Sequence, residues 1–141
     1  MKKLITILLL IPMLVLGQEE KRTFTELNIG VAAIDGYDYD DAFPGASLLV
    51  GRTVAKDGLV TECQIGLAAP SIFTGKLAIG GGNLDKNIMI ACRPWPLAFG
   101  PQFKYNIFTA SFEVGFNNNI SFDAGFIATV GFRWQFKNKK K

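Results

Sequence analysis

Histidine is missing from this sequence altogether. With it go the commonest general base near neutral pH and the commonest zinc ligand. Most hydrolase and metalloenzyme mechanisms are excluded on that ground, and neither a catalytic role nor a cofactor is expected. Cysteine is scarce, since Cys63 and Cys92 allow one intramolecular bridge at most. Charge is sparse too: charged residues make up 19% of the 141 positions and the formal net charge is +3. No basic patch marks a nucleic-acid partner. Linkers, repeats and low-complexity tracts are absent, so a single folded domain is expected. Helical periodicity is also absent beyond the first residues. Gly80-Gly81-Gly82 is followed by no Lys-Ser or Lys-Thr and opens no helix, which rules out a phosphate loop and leaves a strand end or bulge.

What is present begins with a tripartite leader over residues 1–17. Lys2 and Lys3 precede an apolar run from Leu4 to Leu16, and small Gly17 precedes polar Gln18. The run is shorter than the roughly 20 residues of a bilayer-spanning helix. A cleaved signal peptide is therefore expected rather than an uncleaved anchor, with the mature chain starting at Gln18. No cysteine stands near the cleavage region to accept a lipid. Loss of Lys2 and Lys3 takes the net charge from +3 to +1. Lys137, Lys139, Lys140 and Lys141 form a basic tail over 137–141, so the body between is slightly acidic. The tail reads as a solvated end, with contact to acidic lipid or surface polysaccharide left open.

The dominant signal is strict alternation. Over 120–136 the even positions include Ile120, Phe122, Phe126, Val130, Phe132, Trp134 and Phe136, while the odd ones include Ser121, Asp123, Thr129, Arg133 and Gln135. Residues 108–116 repeat the pattern, with Phe108, Phe112, Val114 and Phe116 against Thr109, Ser111 and Glu113. Asn117-Asn118-Asn119 between them suits a hairpin. Further strands are expected at 25–34, 46–55, 59–69, 76–82, 87–93 and 97–103. Turn chemistry separates them at Lys56-Asp57-Gly58, Gly82-Asn83-Leu84-Asp85 and Pro94-Trp95-Pro96. Residues 18–136 thus read as a small all-β, antiparallel up-and-down barrel of about eight strands. The alternation slips phase at 104–107, where a bulge inside one long strand would lower the count. The two cysteines fall on the third and fifth strands with one strand between, too far apart for a disulfide, so free thiols are expected.

Both membrane and soluble barrels have an apolar and a polar face, so the make-up of the polar face discriminates. A water-exposed face is usually rich in Lys, Glu, Arg and Thr. Here it holds Gly, Ser, Thr, Ala and Gln with isolated charges, while lysines fall mostly in turns and tail, with Lys76 at a strand start. Small residues with sparse ions suit the cramped lumen of an eight-stranded barrel. The apolar, aromatic face suits a lipid-facing band.

The leader, the alternating strands and the ending Gly131-Phe132-Arg133-Trp134-Gln135-Phe136 together resemble the small outer-membrane β-barrel proteins of Gram-negative bacteria. Alternating aromatics in a final strand resemble the signal read by the barrel-assembly machinery, although five residues follow Phe136 here. The resemblance implies an outer-membrane location, contact with lipid and assembly machinery, and a girdle built from Phe132, Trp134 and Phe136. A structural, small-ligand-binding or surface-interaction role follows, without an open pore, since eight strands leave no aqueous channel. A soluble periplasmic or secreted barrel of lipocalin type remains the alternative, with the Phe-rich face lining its cavity.

Candidate site residues follow from the inward phase. Glu62, Arg93, Glu113, Asp123 and Arg133 are expected to form a charge network in the lumen, because buried ions must pair. A narrow proton or ion path is the sharper reading of the same residues. No nucleophile, base or oxyanion hole accompanies the carboxylates. Asp35-Gly36 followed by Tyr37, Asp38, Tyr39, Asp40 and Asp41 forms the densest acidic stretch. It reads as a solvated surface loop, with weak calcium binding or a protein or glycan contact also open. Its spacing is not that of an EF-hand.

Overall fold

The computed structural model describes residues 20–34, 42–69, 71–95, 97–115 and 124–136. Eight strands run through them: β1 (Glu20–Ile34), β2 (Phe43–Lys56), β3 (Leu59–Ala69), β4 (Ile72–Gly82), β5 (Lys86–Pro94), β6 (Leu97–Tyr105), β7 (Phe108–Gly115) and β8 (Ala124–Phe136). Each pairs antiparallel with the next, and β8 returns to β1, closing an up-and-down barrel without an edge. The leader, the stretch 35–41, the Asn117–119 hairpin, Asp123 and the basic tail lie outside the described residues.

Local chemistry sets the hairpins at one end, called here the turn end. Asp57 (φ 50°) and Gly58 (φ 82°) both adopt left-handed backbone, the two-residue turn whose twist matches the flanking strands. Between β4 and β5, Asn83 Oδ1 accepts the backbone N–H groups of Asp85 (2.9 Å) and Lys86 (2.8 Å). Asn106 (φ 53°) starts the turn between β6 and β7. The phase slip at 104–107 is therefore a tight turn, and the count stays at eight. Pro101 lies inside β6, where its missing N–H would ordinarily break a ladder. It is accommodated because the β6–β7 pairing passes from Phe99 to Gln102 without using Gly100 or Pro101.

Following paired residues once around shows how the barrel closes. Thr23, Arg52, Cys63, Leu77, Cys92, Phe99, Val114 and Phe126 pair in turn and return to β1 at Ala33, about ten residues beyond the start. That stagger tilts the strands steeply to the axis. The same row settles the cysteines, because Leu77 separates Cys63 from Cys92 on the outer wall and both thiols are free. Two strand spacings put the pair roughly 10 Å apart, beyond bridging distance. Mass spectrometry after mild oxidation should find no Cys63–Cys92 linkage within one chain. Such a bridge would overturn the order β3–β4–β5.

The two faces are sharply divided. Outward residues are mostly apolar on every strand, and Ile65 and Phe73 are 68% and 69% exposed. Phe108 and Phe132 meet on this wall with ring centroids 5.3 Å apart, as do Phe112 and Phe126 at 6.3 Å. The inward side holds few apolar groups, notably Phe24, Leu49, Val60 and Met89. Gly51 leaves the space that the Phe24 ring fills, since a Cβ there would come within 2.6 Å of it. Small alanines (Ala32, Ala78, Ala91, Ala98) and Ile127 are buried there too, and the remaining buried side chains of the strands are polar or charged.

Candidate functional site: the ionic lumen

Strand alternation turns Glu26, Glu62, Lys76, Arg93, Lys104, Glu113 and Arg133 into the barrel, each at most 4% exposed. Ions in such a place are tolerated only where each one is paired and hydrogen-bonded. Lys104 sits between two carboxylates, its Nζ 2.5 Å from Glu26 Oε2 and 2.6 Å from Glu62 Oε1. The same ammonium lies 4.3 Å above the Phe24 ring. Thr53 (2.7 Å), Gln64 and Gln102 (2.9 Å) donate to Glu62 as well.

A second cluster surrounds Glu113. Lys76 Nζ and Arg93 Nε each approach it at 2.7 Å, and Ser111 donates at 3.0 Å. Arg93 also donates to Thr74 Oγ1, which in turn meets the Trp95 carbonyl at 3.3 Å. Gln102 joins the clusters, donating to Glu62 and accepting from Lys76 at 3.4 Å. One amide therefore makes the lumen a single connected network.

Among the described residues, four buried cations face three buried carboxylates. Arg133 carries the surplus and is handled differently from the rest. Its Nη1 stands 4.0 Å from Glu62, while its Nη2 donates to the carbonyls of Leu84 (3.1 Å) and Asn106 (3.1 Å). Those carbonyls belong to the β4–β5 and β6–β7 turns. Gln135 donates to Leu84 O at 2.9 Å, and Arg22 ties Asp85 at 2.5 Å. The side chain of Leu84, only 3% exposed, is folded into the barrel mouth. The last strand thus fastens two turns over the turn end.

The inward set read from sequence is only partly the set found. Of the residues read from sequence, Arg93 pairs with Glu113 and Arg133 approaches Glu62, in the two clusters that Gln102 joins. Asp123 and the acidic stretch Tyr37, Asp38, Tyr39, Asp40 and Asp41 fall outside the described residues. Lys76 does not begin a strand. It lies mid-β4, because the strand starts four residues earlier at Ile72. Lys104 does not sit at a phase slip but one residue before the end of β6. Glu26 completes the pairing. The signal for all three was available in phase: Lys76 alternates with Thr74 and Ala78, Lys104 with Gln102, and Glu26 with Asn28.

Among the described residues, Phe132, Trp134 and Phe136 point outward, and so do Phe99, Phe103, Phe108 and Phe112. No three of Cys, Asp and Glu are grouped to hold a metal ion among the described residues. An interior pocket of about 40 Å³ reaches Ser47, Arg93 and Thr129, room for a few water molecules at most. What the arrangement does chemically is hold charge still: each of the three buried carboxylates described is met by at least one cation and by amide or hydroxyl donors. No family model, curated protein sequence or solved structure matches the chain.

Proposed function

We propose that the protein is a structural outer-membrane barrel that carries no reaction and conducts no solute. The observation that carries this reading is the inversion of the two faces. Seven ionisable side chains occupy the interior, and large apolar side chains occupy the exterior. Water as the surrounding solvent would favour the reverse, since contiguous apolar surface of this extent is rarely left wet. Hydrocarbon as the solvent favours the observed arrangement, provided the backbone is paired all the way round, as a closed barrel ensures. Strands of about 9–11 residues suffice to cross a bilayer when tilted, and β3, β4, β5 and β6 have 11, 11, 9 and 9 residues. A lipocalin-type reading needs an apolar cavity for its ligand. Here the corresponding space is filled by ion pairs, and the Phe-rich face lies outside. The filled lumen argues equally against a diffusion pore.

The barrel-assembly machinery is the implied partner, reading the alternating aromatics of β8. Trp134, half exposed on the outer wall, reports on location directly. With Trp95→Phe as background, the protein refolded into vesicles of brominated lipid should show strong quenching of Trp134 fluorescence. Weak quenching in folded protein that stays soluble without detergent would restore the soluble barrel.

A further inference from the structure

The outer wall is not uniform. Outward-pointing cations gather at the turn end, where Lys21, Arg52, Lys56 and Lys86 share faces with Val54, Cys63, Leu59 and Tyr105. Across β5 to β8 and β1 the wall also sinks into an apolar trough of about 1160 Å³. Its floor is Ala110, the small outward residue of β7, between the larger Phe103 and Val130 to which it is paired. Phe108 and Phe132 form one flank, and the trough runs on to Leu27 and Ile29 on β1. Lys86 stands at its turn-end mouth, with Nζ held 4.7 Å above the Tyr105 ring.

This is an asymmetric shape: one fixed cation at the rim, and an apolar furrow leading from it toward mid-wall. An ordinary small-molecule site is enclosed by its protein and carries several converging polar groups. The trough has one. An amphiphile with one anionic group at the end of a long chain matches that pattern. Lysine near a membrane surface attracts anionic headgroups while its methylenes lie along apolar surface. Stacking on Tyr105 keeps the ammonium at the rim rather than free to wander.

We propose that the trough holds one glycerophospholipid, its acyl chain lying over Ala110 between the aromatic flanks and its phosphate meeting Lys86. The inference rests on the membrane reading above. The occupant is selected by charge and shape together: a neutral lipid would leave Lys86 unanswered, and a soluble anion would leave the furrow wet.

The protein refolded into vesicles of phosphatidylcholine with added phosphatidylglycerol, then extracted into mild detergent, should retain one phospholipid per barrel by native mass spectrometry. Lys86→Gln, at an exposed rim position, should lower the affinity for phospholipid about fivefold, read as occupancy against added lipid. Ala110→Trp fills the furrow and should abolish it. Arg52→Gln, at the same end but outside the trough, should leave it unchanged. Retention of a neutral diacylglycerol as firmly as of phospholipid would overturn the assignment of the phosphate. An inserted, folded barrel that carries no lipid would overturn the proposal and leave the membrane reading standing. Failure to insert into vesicles at all would overturn both.

Discussion

Replacing Glu113 by glutamine is expected to lower unfolding free energy by about 3–5 kcal/mol, the usual cost of removing one partner from a buried ion pair. The substitution leaves Lys76 and Arg93, both nearly inaccessible, with no carboxylate in contact. Ser111 and Gln102 still accept from Lys76, but they offer dipoles where a full charge stood. Adding Lys76→Met should recover part of the loss, because the second change removes one of the two stranded cations. Urea unfolding of the single and double variants in lipid vesicles measures both effects. Asp85→Asn gives the scale for comparison. That side chain is half exposed in its pair with Arg22, so about 0–1 kcal/mol is expected. Equal effects at Glu113 and Asp85 would mean that the lumen is wet and its charges are screened.

Ile65→Arg addresses the outer wall in the same way. Ile65 lies at the middle of β3, two-thirds exposed and flanked by Val50 and Gly75. On a surface facing water, such a change is worth within about 0.5 kcal/mol either way. On a surface facing the centre of a bilayer, it costs about 2–4 kcal/mol. The two readings of the barrel therefore part on a single side chain. Stability of the variant in vesicles, against the parent, decides between them. A neutral result in correctly inserted protein would show that Ile65 does not face hydrocarbon.

Much of the architecture was legible because period-2 alternation is a purely local signal. Leu59–Ala69 has the same bounds in the sequence as in the structure, since the Asp57-Gly58 turn opens it and the alternation ends at Ala69. The outward aromatics of β8 were equally plain. Strand starts were harder: β4 begins at Ile72 rather than Lys76, because a lysine following Thr74 and Gly75 has the look of a turn. The same habit of reading lysine as solvent-exposed hid Lys104. That habit fails where the interior is the polar side of the wall. The pairing inside the lumen was beyond reach for a different reason. Glu26 and Lys104 stand 78 positions apart, and their meeting depends on the stagger accumulated around the whole barrel. No local pattern encodes that sum. Arg133 was legible as a member of the network, but its main partners were not, because beside a 4.0 Å approach to Glu62 it donates to carbonyls of two turns.

The interlocked interior also has a consequence in time. Its members come from separate strands: Glu26 from β1, Thr53 from β2, Glu62 from β3, Lys76 from β4, Arg93 from β5, Lys104 from β6, Glu113 from β7 and Arg133 from β8. Early hairpins can satisfy only a few of these contacts, since the ion pairs and amide links that join the clusters connect residues 20 to 78 apart. Until β8 zips onto β1, a growing sheet carries unmatched charge on one face. The rewards of folding therefore arrive late and together, which makes for slow assembly. A partly closed sheet has little to hold it, so closure is the step that commits the chain.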